Sequence, residues 1–201
     1  MKRLMLLPLL FVLAFANAPG TLSKKERKFA REHLRETKKD LLQAVSKLSE
    51  TQLKWKASPE KWSVEECVKH IAASEQMMWQ TMENGLSQAP NPEKRAEIKF
   101  TDEQLIKGVQ DRTSKFQAPE PIQPRNSPFQ NTAEALQSFK TNRDKAIRYV
   151  KDTQEDLRNH VINFPVGVMD AYQMILLMSA HCNRHTQQIR EVMADPNFPK
   201  E

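Results

Sequence analysis

Glycine and cysteine are scarce in this chain of 201 residues, which contains four Gly and two Cys. So few glycines argue against glycine-rich phosphate loops, dinucleotide-binding turns and a many-stranded β fold. Two cysteines exclude a disulfide-dense scaffold. Strand-like alternation of apolar and polar residues is also absent, and these absences together favour an all-α protein.

Neither the charge nor the apolar content is extreme. The chain has 31 Lys plus Arg and 25 Asp plus Glu, and its net charge of +6 is scattered along the sequence. A nucleic-acid-binding surface needs basic residues clustered on one face, so we expect no nucleic-acid partner. At 39% hydrophobic and 28% charged residues, the chain is too apolar for intrinsic disorder and too polar for an integral membrane protein. Its length fits one domain.

Residues 1–18 read MKRLMLLPLLFVLAFANA and have the layout of a secretory signal peptide. Lys2 and Arg3 precede an apolar stretch over 4–16, and Ala16-Asn17-Ala18 forms an A-x-A cleavage site. The apolar stretch is shorter than the ~20 residues of a membrane span, which disfavours the alternative of an uncleaved anchor. We therefore expect a mature domain over 19–201 that is secreted or periplasmic and has no stable membrane span.

Proline placement indicates helices in the rest of the chain. Interior proline breaks a helix, and four long stretches lack it, at 23–56, 63–88, 131–157 and 170–194, with a shorter one at 101–115. Pairs with capping-box spacing stand at the start of several of them: Ser23 with Glu26, Ser63 with Glu66, Thr101 with Gln104, and Asn131 with Glu134. Four helices with one apolar stripe each predict an antiparallel four-helix bundle.

A long connection, about 87–130, separates the second and third long helices. Bundles usually connect their helices with ~2–8 residues, so this length needs an explanation. We favour a crossover that runs down the length of the bundle. The alternative is a lid over a site at the end of the bundle.

His181 and His185 are the most informative of the five histidines. Residues four apart lie ~40° apart on a helix, and these two fall at the centre of the apolar stripe of the last helix. Two such rings can share one metal ion, although two core histidines bonded to a neighbouring helix fit equally well. His70, on the flank of the second helix's stripe, can reach the same point across an interhelical distance of ~8–10 Å. Three His without a fourth protein ligand describe an open metal site.

Two segments resemble the signatures of the DinB-like superfamily. WSVEECVKHIAASEQ (62–76) is similar to its second-helix signature, and HCNRHTQQI (181–189) to its last-helix H-x-x-x-H-x-x-Q-I signature. The resemblance implies a four-helix bundle that holds a divalent metal (zinc, nickel or iron) through His70, His181 and His185. It also implies frequent homodimers, and activities that include low-molecular-weight thiol transfer and related metal-dependent reactions.

Several neighbours of these histidines have two interpretations each. Gln188 either orients a ligand or closes the end of the bundle. Glu66 is expected to cap its helix rather than act as a base, and Glu75 is expected to pair with a cation of the first helix rather than to steer a ligand imidazole. Cys67 and Cys182 are small buried hydrophobes, a disulfide or, least favoured, metal ligands.

Other ring-bearing residues are expected to be structural. His33 and His160 are predicted to be structural or exposed, and Trp62 is expected to pack helices rather than bind a cofactor.

The leading functional hypothesis is a metal-dependent enzyme of the cell envelope, a hydrolase or a thiol S-transferase acting on a small molecule. The residues identify no catalytic group beside the metal. The alternative is a non-catalytic bundle that binds a metal or a small ligand.

Overall fold

Four long helices form the predicted bundle in the computed structural model, which describes residues 21–200. They are α1 (Lys24–Val45), α3 (Val64–Leu86), α5 (Thr132–Asp152) and α6 (Ala171–Met193). Two short helices, α2 (Glu50–Lys54) and α4 (Asp102–Gln110), and a hairpin of β1 (Val161–Phe164) and β2 (Gly167–Asp170) complete the elements considered below. The predicted signal peptide, 1–18, lies outside the described residues. Within residues 21–200, no helix combines the length and apolar character needed to cross a membrane.

Local capping determines where these helices begin. Complete capping boxes start α1, α3, α4 and α6, at Ser23, Ser63, Thr101 and Asp170, respectively. At the start of α5 the Asn131 side chain accepts a hydrogen bond from the Glu134 amide. The predicted helix starts are therefore confirmed, because they depend only on contacts within one turn.

Helix direction explains the long connection. α3 and α5 run parallel, since Glu65 bonds Thr132 near the start of both helices and Lys145 pairs with Glu83 near their ends. α6 runs antiparallel to α3, with His185 stacked on Trp62 and His181 one turn earlier facing His70. Because the two helices are parallel, the chain that leaves the end of α3 must return to the end of the bundle at which α3 began before α5 can start. The segment 87–130 therefore travels the length of the bundle as a crossover.

The structure differs from the sequence-based prediction in two elements. The first helix ends at Val45 instead of continuing to 56, and a second capping box, Ser49 with Gln52, starts α2. The hairpin was not predicted, because strands of four residues are too short to show alternation. Gly167 has φ of 134°, a conformation that glycine adopts readily, directly after the turn.

A buried ion pair joins the four long helices at the centre of the bundle. Arg143 of α5 forms a two-pronged pair with Glu75 of α3, at 2.6 and 2.7 Å. Its guanidinium also donates to Thr37 Oγ1 and to the carbonyl oxygens of Leu34 and Met178. The prediction that Glu75 pairs with a cation of the first helix was thus wrong. The cation comes from α5, and α1 contributes only oxygen acceptors.

We predict that breaking this ion pair destabilises the fold strongly. Arg143→Met leaves Glu75 as an unpaired buried carboxylate and is expected to lower the free energy of unfolding by about 3–5 kcal/mol. The double variant Glu75→Met/Arg143→Met is expected to recover most of that loss, because it leaves no buried charge. Urea unfolding followed by circular dichroism measures both values.

Glu103→Gln provides the control, because Glu103 and Lys107 form an exposed pair on α4. Its urea midpoint should stay close to that of the unchanged chain. Equal stabilities for Arg143→Met and the double variant would contradict the prediction.

Candidate metal centre

Three imidazoles converge between α3 and α6. Nε2 of His70 lies 3.2 Å from Nε2 of His181, and one ring nitrogen from each of His70, His181 and His185 lies within 4.8 Å of the others. Two nitrogens held 2.0–2.1 Å from a tetrahedral ion lie about 3.3 Å apart, which matches the His70–His181 distance. The structure therefore brings all three predicted ligands together.

Hydrogen bonds to the far side of two rings determine which nitrogen faces this point. His70 Nδ1 lies 2.7 Å from the carbonyl oxygen of Ile122, which can only accept, so Nδ1 carries the proton. His185 Nδ1 donates to Gln188 Oε1 at 2.9 Å. Both rings then present Nε2 as a lone pair, which is the form that binds a metal. The orienting role considered for Gln188 agrees with this contact.

Burial keeps the three imidazole rings uncharged at neutral pH. Desolvation lowers the pKa of His70 to about 4. The pKa values of His181 and His185 are held well below the usual range, first by burial and then by neighbouring histidines and Arg184. A metal ligand must be deprotonated, so this donor set is ready to bind a divalent cation without first losing protons.

Trp62 and the crossover complete the surroundings of the rings. The Trp62 ring lies 4.9 Å from that of His70 and stacks on His185 at 5.9 Å, centroid to centroid. The sequence prediction placed Trp62 in helix packing and missed this contact. It also missed the contact between His70 and the Ile122 carbonyl oxygen, because every residue has a backbone carbonyl and the sequence does not show which one lies near His70. The crossover thus covers the centre as well as spanning the bundle.

The other residues considered beside the histidines, Glu66, Cys67 and Cys182, have structural roles. Glu66 completes the capping box with Ser63, as predicted, and pairs with Lys56. Cys67 and Cys182 are both free and buried, so they do not form the disulfide considered above. Burial raises the pKa of both thiols, to about 11 for Cys182, which disfavours thiolate ligands.

His33 and His160 bond elsewhere in the chain. His33 Nε2 lies 3.3 Å from the side-chain nitrogen of Gln110, and His160 Nδ1 donates to the Gly85 carbonyl oxygen. Both therefore have structural contacts, as expected.

A groove of about 1750 Å³ includes the three histidines among its lining residues. Its walls come from α3, α6, α4 and the hairpin, together with parts of the segments 56–62 and 115–125. An ion pair between Arg158 and Asp102 holds the start of α4 in place, and Arg158 also bonds Glu26 and Asp170 at the starts of α1 and α6. Because the three histidines line this groove, the cluster opens into a space large enough for a substrate.

Comparisons with known proteins agree with this fold. The sequence profile of the DinB superfamily matches residues 33–189. The uncharacterized protein YuaE of Bacillus subtilis (strain 168) is 24% identical over 146 residues, which are 72% of this chain and 85% of YuaE. The structure of YfiT from Bacillus subtilis, described as a probable metal-dependent hydrolase with an unusual four-helix bundle topology, matches with a TM-score of 0.58 and 16% identity. That match covers 89% of this chain and 91% of YfiT, and at this identity it shows a shared fold.

We predict that the metal-free protein loses stability in mild acid because of these histidines. An unfolded His takes up a proton near pH 6.5, whereas folded His70 does so near pH 4. Between these values the unfolded chain binds more protons, so the free energy of unfolding falls as the pH drops, by about 3 kcal/mol for His70 alone.

Urea unfolding between pH 7 and pH 4, with a chelator present, measures this dependence. His70→Gln removes the titrating group and should give a shallower pH dependence, which separates His70 from carboxylates that titrate in acid. Parallel curves for the two proteins would show that His70 is not held neutral by burial.

Proposed function

The chain belongs to the DinB superfamily, and we propose that it is a metal-dependent hydrolase whose cation is held by His70, His181 and His185. The observation that carries the proposal is the convergence of three neutral imidazoles within 4.8 Å of one another, at a groove open to a substrate. YfiT, which shares the fold, is itself described as a probable metal-dependent hydrolase. This description favours hydrolysis over thiol transfer.

The chemistry of the donor set fits a divalent cation of the transition series. Imidazole nitrogen suits zinc, nickel and iron, and among the described residues no carboxylate joins the three-histidine cluster. A cation bound by three neutral ligands would keep its full positive charge and act as a Lewis acid towards a substrate carbonyl.

The chain's own residues keep the centre in one arrangement. Ile122 and Gln188 accept hydrogen bonds from Nδ1 of two rings and so prevent those rings from turning away. Trp62 covers His70 and His185 and excludes water from that side. Glu66 and Glu191 line the groove but are paired with Lys56 and Arg112, so we assign neither of them to proton transfer.

We predict one bound divalent cation per chain. After loading with zinc and dialysis, elemental analysis of the mature chain should give about one ion, and His70→Ala, His181→Ala and His185→Ala should each lose most of it. His33→Ala is the matched control, since His33 lies on α1 and bonds Gln110 instead. Unchanged zinc content in all three variants would exclude this centre.

Activity measured on the same samples separates the functional alternatives. A hydrolase should cleave esters or amides with water as the only acceptor and lose that activity to a chelator. A requirement for an added thiol would indicate a thiol transferase, and stoichiometric zinc without turnover would indicate a binding protein.

We also propose that the protein acts outside the cytoplasm. Expression of the full chain in a bacterial host should place it in the envelope or the medium, and amino-terminal sequencing should read from Pro19. Cleavage there removes Lys2 and Arg3 and lowers the net charge from +6 to +4. Ala18→Leu should block cleavage. Recovery of the unchanged chain from the cytosol with Met1 intact would contradict export.

A further inference from the structure

The groove changes from apolar to charged at the histidine cluster. Along α3, the lining beyond His70 towards the end of the helix is uncharged and consists of Ser74, Met77, Met78 and Thr81, whereas the lining before it is Glu66. α6 runs the other way and repeats the pattern, with Leu177 before the two histidines and Glu191 after them. The same end of the groove is therefore uncharged on both helices.

α4 follows the same gradient. It runs parallel to α6. Asp102 at the start of α4 bonds Gln173 near the start of α6, and Arg112, just beyond the end of α4, pairs with Glu191 near the end of α6. Leu105 and Val109, with the uncharged Gln104, line the groove on the apolar side, and Arg112 lines it on the charged side. Three helices that are distant in sequence thus agree on where polarity changes.

We define the apolar arm as the part of the groove that extends from the histidines towards the hairpin. Its lining includes Met77, Leu105, Val109, Phe164, Val166 and Leu177. Val166 remains 53% exposed at the hairpin turn. From His70 to Thr81, which also lines the groove, α3 rises about 16 Å, the length of a chain of roughly a dozen carbons.

The opposite end of the groove carries charge. Six cationic and four anionic side chains line the groove as a whole. Among residues 21–200, Lys61 and Lys115 form no ion pair shorter than 4 Å, although the charge of Lys61 acts on Glu60 and Glu191 at longer range. A bound divalent cation would add to this positive excess, so the charged end favours an anionic or strongly polar group.

We propose that the substrate is an acyl compound, with a linear apolar chain in the apolar arm, its carbonyl group at the three histidines and a polar, anionic head at the charged end. This inference rests on the proposed hydrolase function. In the reaction, the oxygen of water bonds to the acyl carbon and the bond from that carbon to the head breaks. One proton of water passes to the departing head, and the products are a carboxylic acid and the free head group.

A substitution at Gly108 can test whether the apolar arm binds a ligand. It lies within α4, lines the groove and is exposed, and a Cβ added there meets no atom within 4 Å. A large side chain at 108 can therefore enter the groove without clashing with the fold. Any residue better suited to a helix than glycine should also leave α4 at least as stable.

The test measures the affinity of dodecanoate and butanoate by titration calorimetry. Each methylene group that is buried tightens binding by about fourfold, so dodecanoate should bind at least about 100-fold more tightly than butanoate. Gly108→Trp should weaken dodecanoate binding by about tenfold or more and leave zinc content unchanged, whereas Gly108→Ala, the matched control, should bind as the unchanged chain does. Met77→Glu, which places a charge in the arm from α3, should have the same effect as Gly108→Trp.

Repeating the titration on chelator-treated protein separates this inference from the proposed function. If the chain binds no zinc, the hydrolase proposal fails, yet the preference for dodecanoate should persist because the arm does not depend on the metal. Equal affinity for the two acids, or an unchanged dodecanoate affinity in both Gly108→Trp and Met77→Glu, would overturn the acyl-chain inference even if zinc binds.

Discussion

The antiparallel packing of α3 against α6 is the constraint on which the candidate metal centre depends. A helix rises 1.5 Å per residue, so a slip of one turn between the two would move His70 by about 5.4 Å relative to His181. The nitrogens that now lie 3.2 Å apart would then be too far apart to share an ion. The donor set is consequently a property of the register between two helices, and whatever fixes that register also determines whether the protein can bind a metal.

The buried Arg143 guanidinium provides such a restraint. It bonds Glu75, five residues beyond His70 on α3, and the carbonyl oxygen of Met178, three residues before His181 on α6. A guanidinium group is a planar fork with fixed donor directions, so one side chain ties both histidine-bearing helices to a common point. The buried charges are expensive to desolvate, and replacing such a pair by apolar residues of similar volume often costs little stability. The ion pair is therefore better explained by specific alignment of the helices than by stability.

The sequence predicts those features that depend on neighbours along the chain. Ser63 and Glu66 identify the start of α3, and the spacing of His181 and His185 places two rings on one face, because both patterns fit within one or two turns. The partner of Glu75 was assigned to the wrong helix, because that choice depends on which helices become neighbours after the crossover. The bond from His70 to Ile122 was not predicted either, since any residue at 122 offers a carbonyl oxygen and only the path of the backbone brings it close.

The crossover links the topology of the bundle to the chemistry of the site. Parallel α3 and α5 require a long return, and that return places α4 alongside α6 and the carbonyl of Ile122 against His70. One segment therefore forms the third wall of the groove and also selects the tautomer of a candidate ligand. A bundle with short loops could present the same three histidines, but its groove would have two helical walls and no backbone acceptor over His70. The length of the connection, which looks excessive for joining two helices, follows from the parallel direction of α3 and α5, and the same residues enclose the groove beside the histidines.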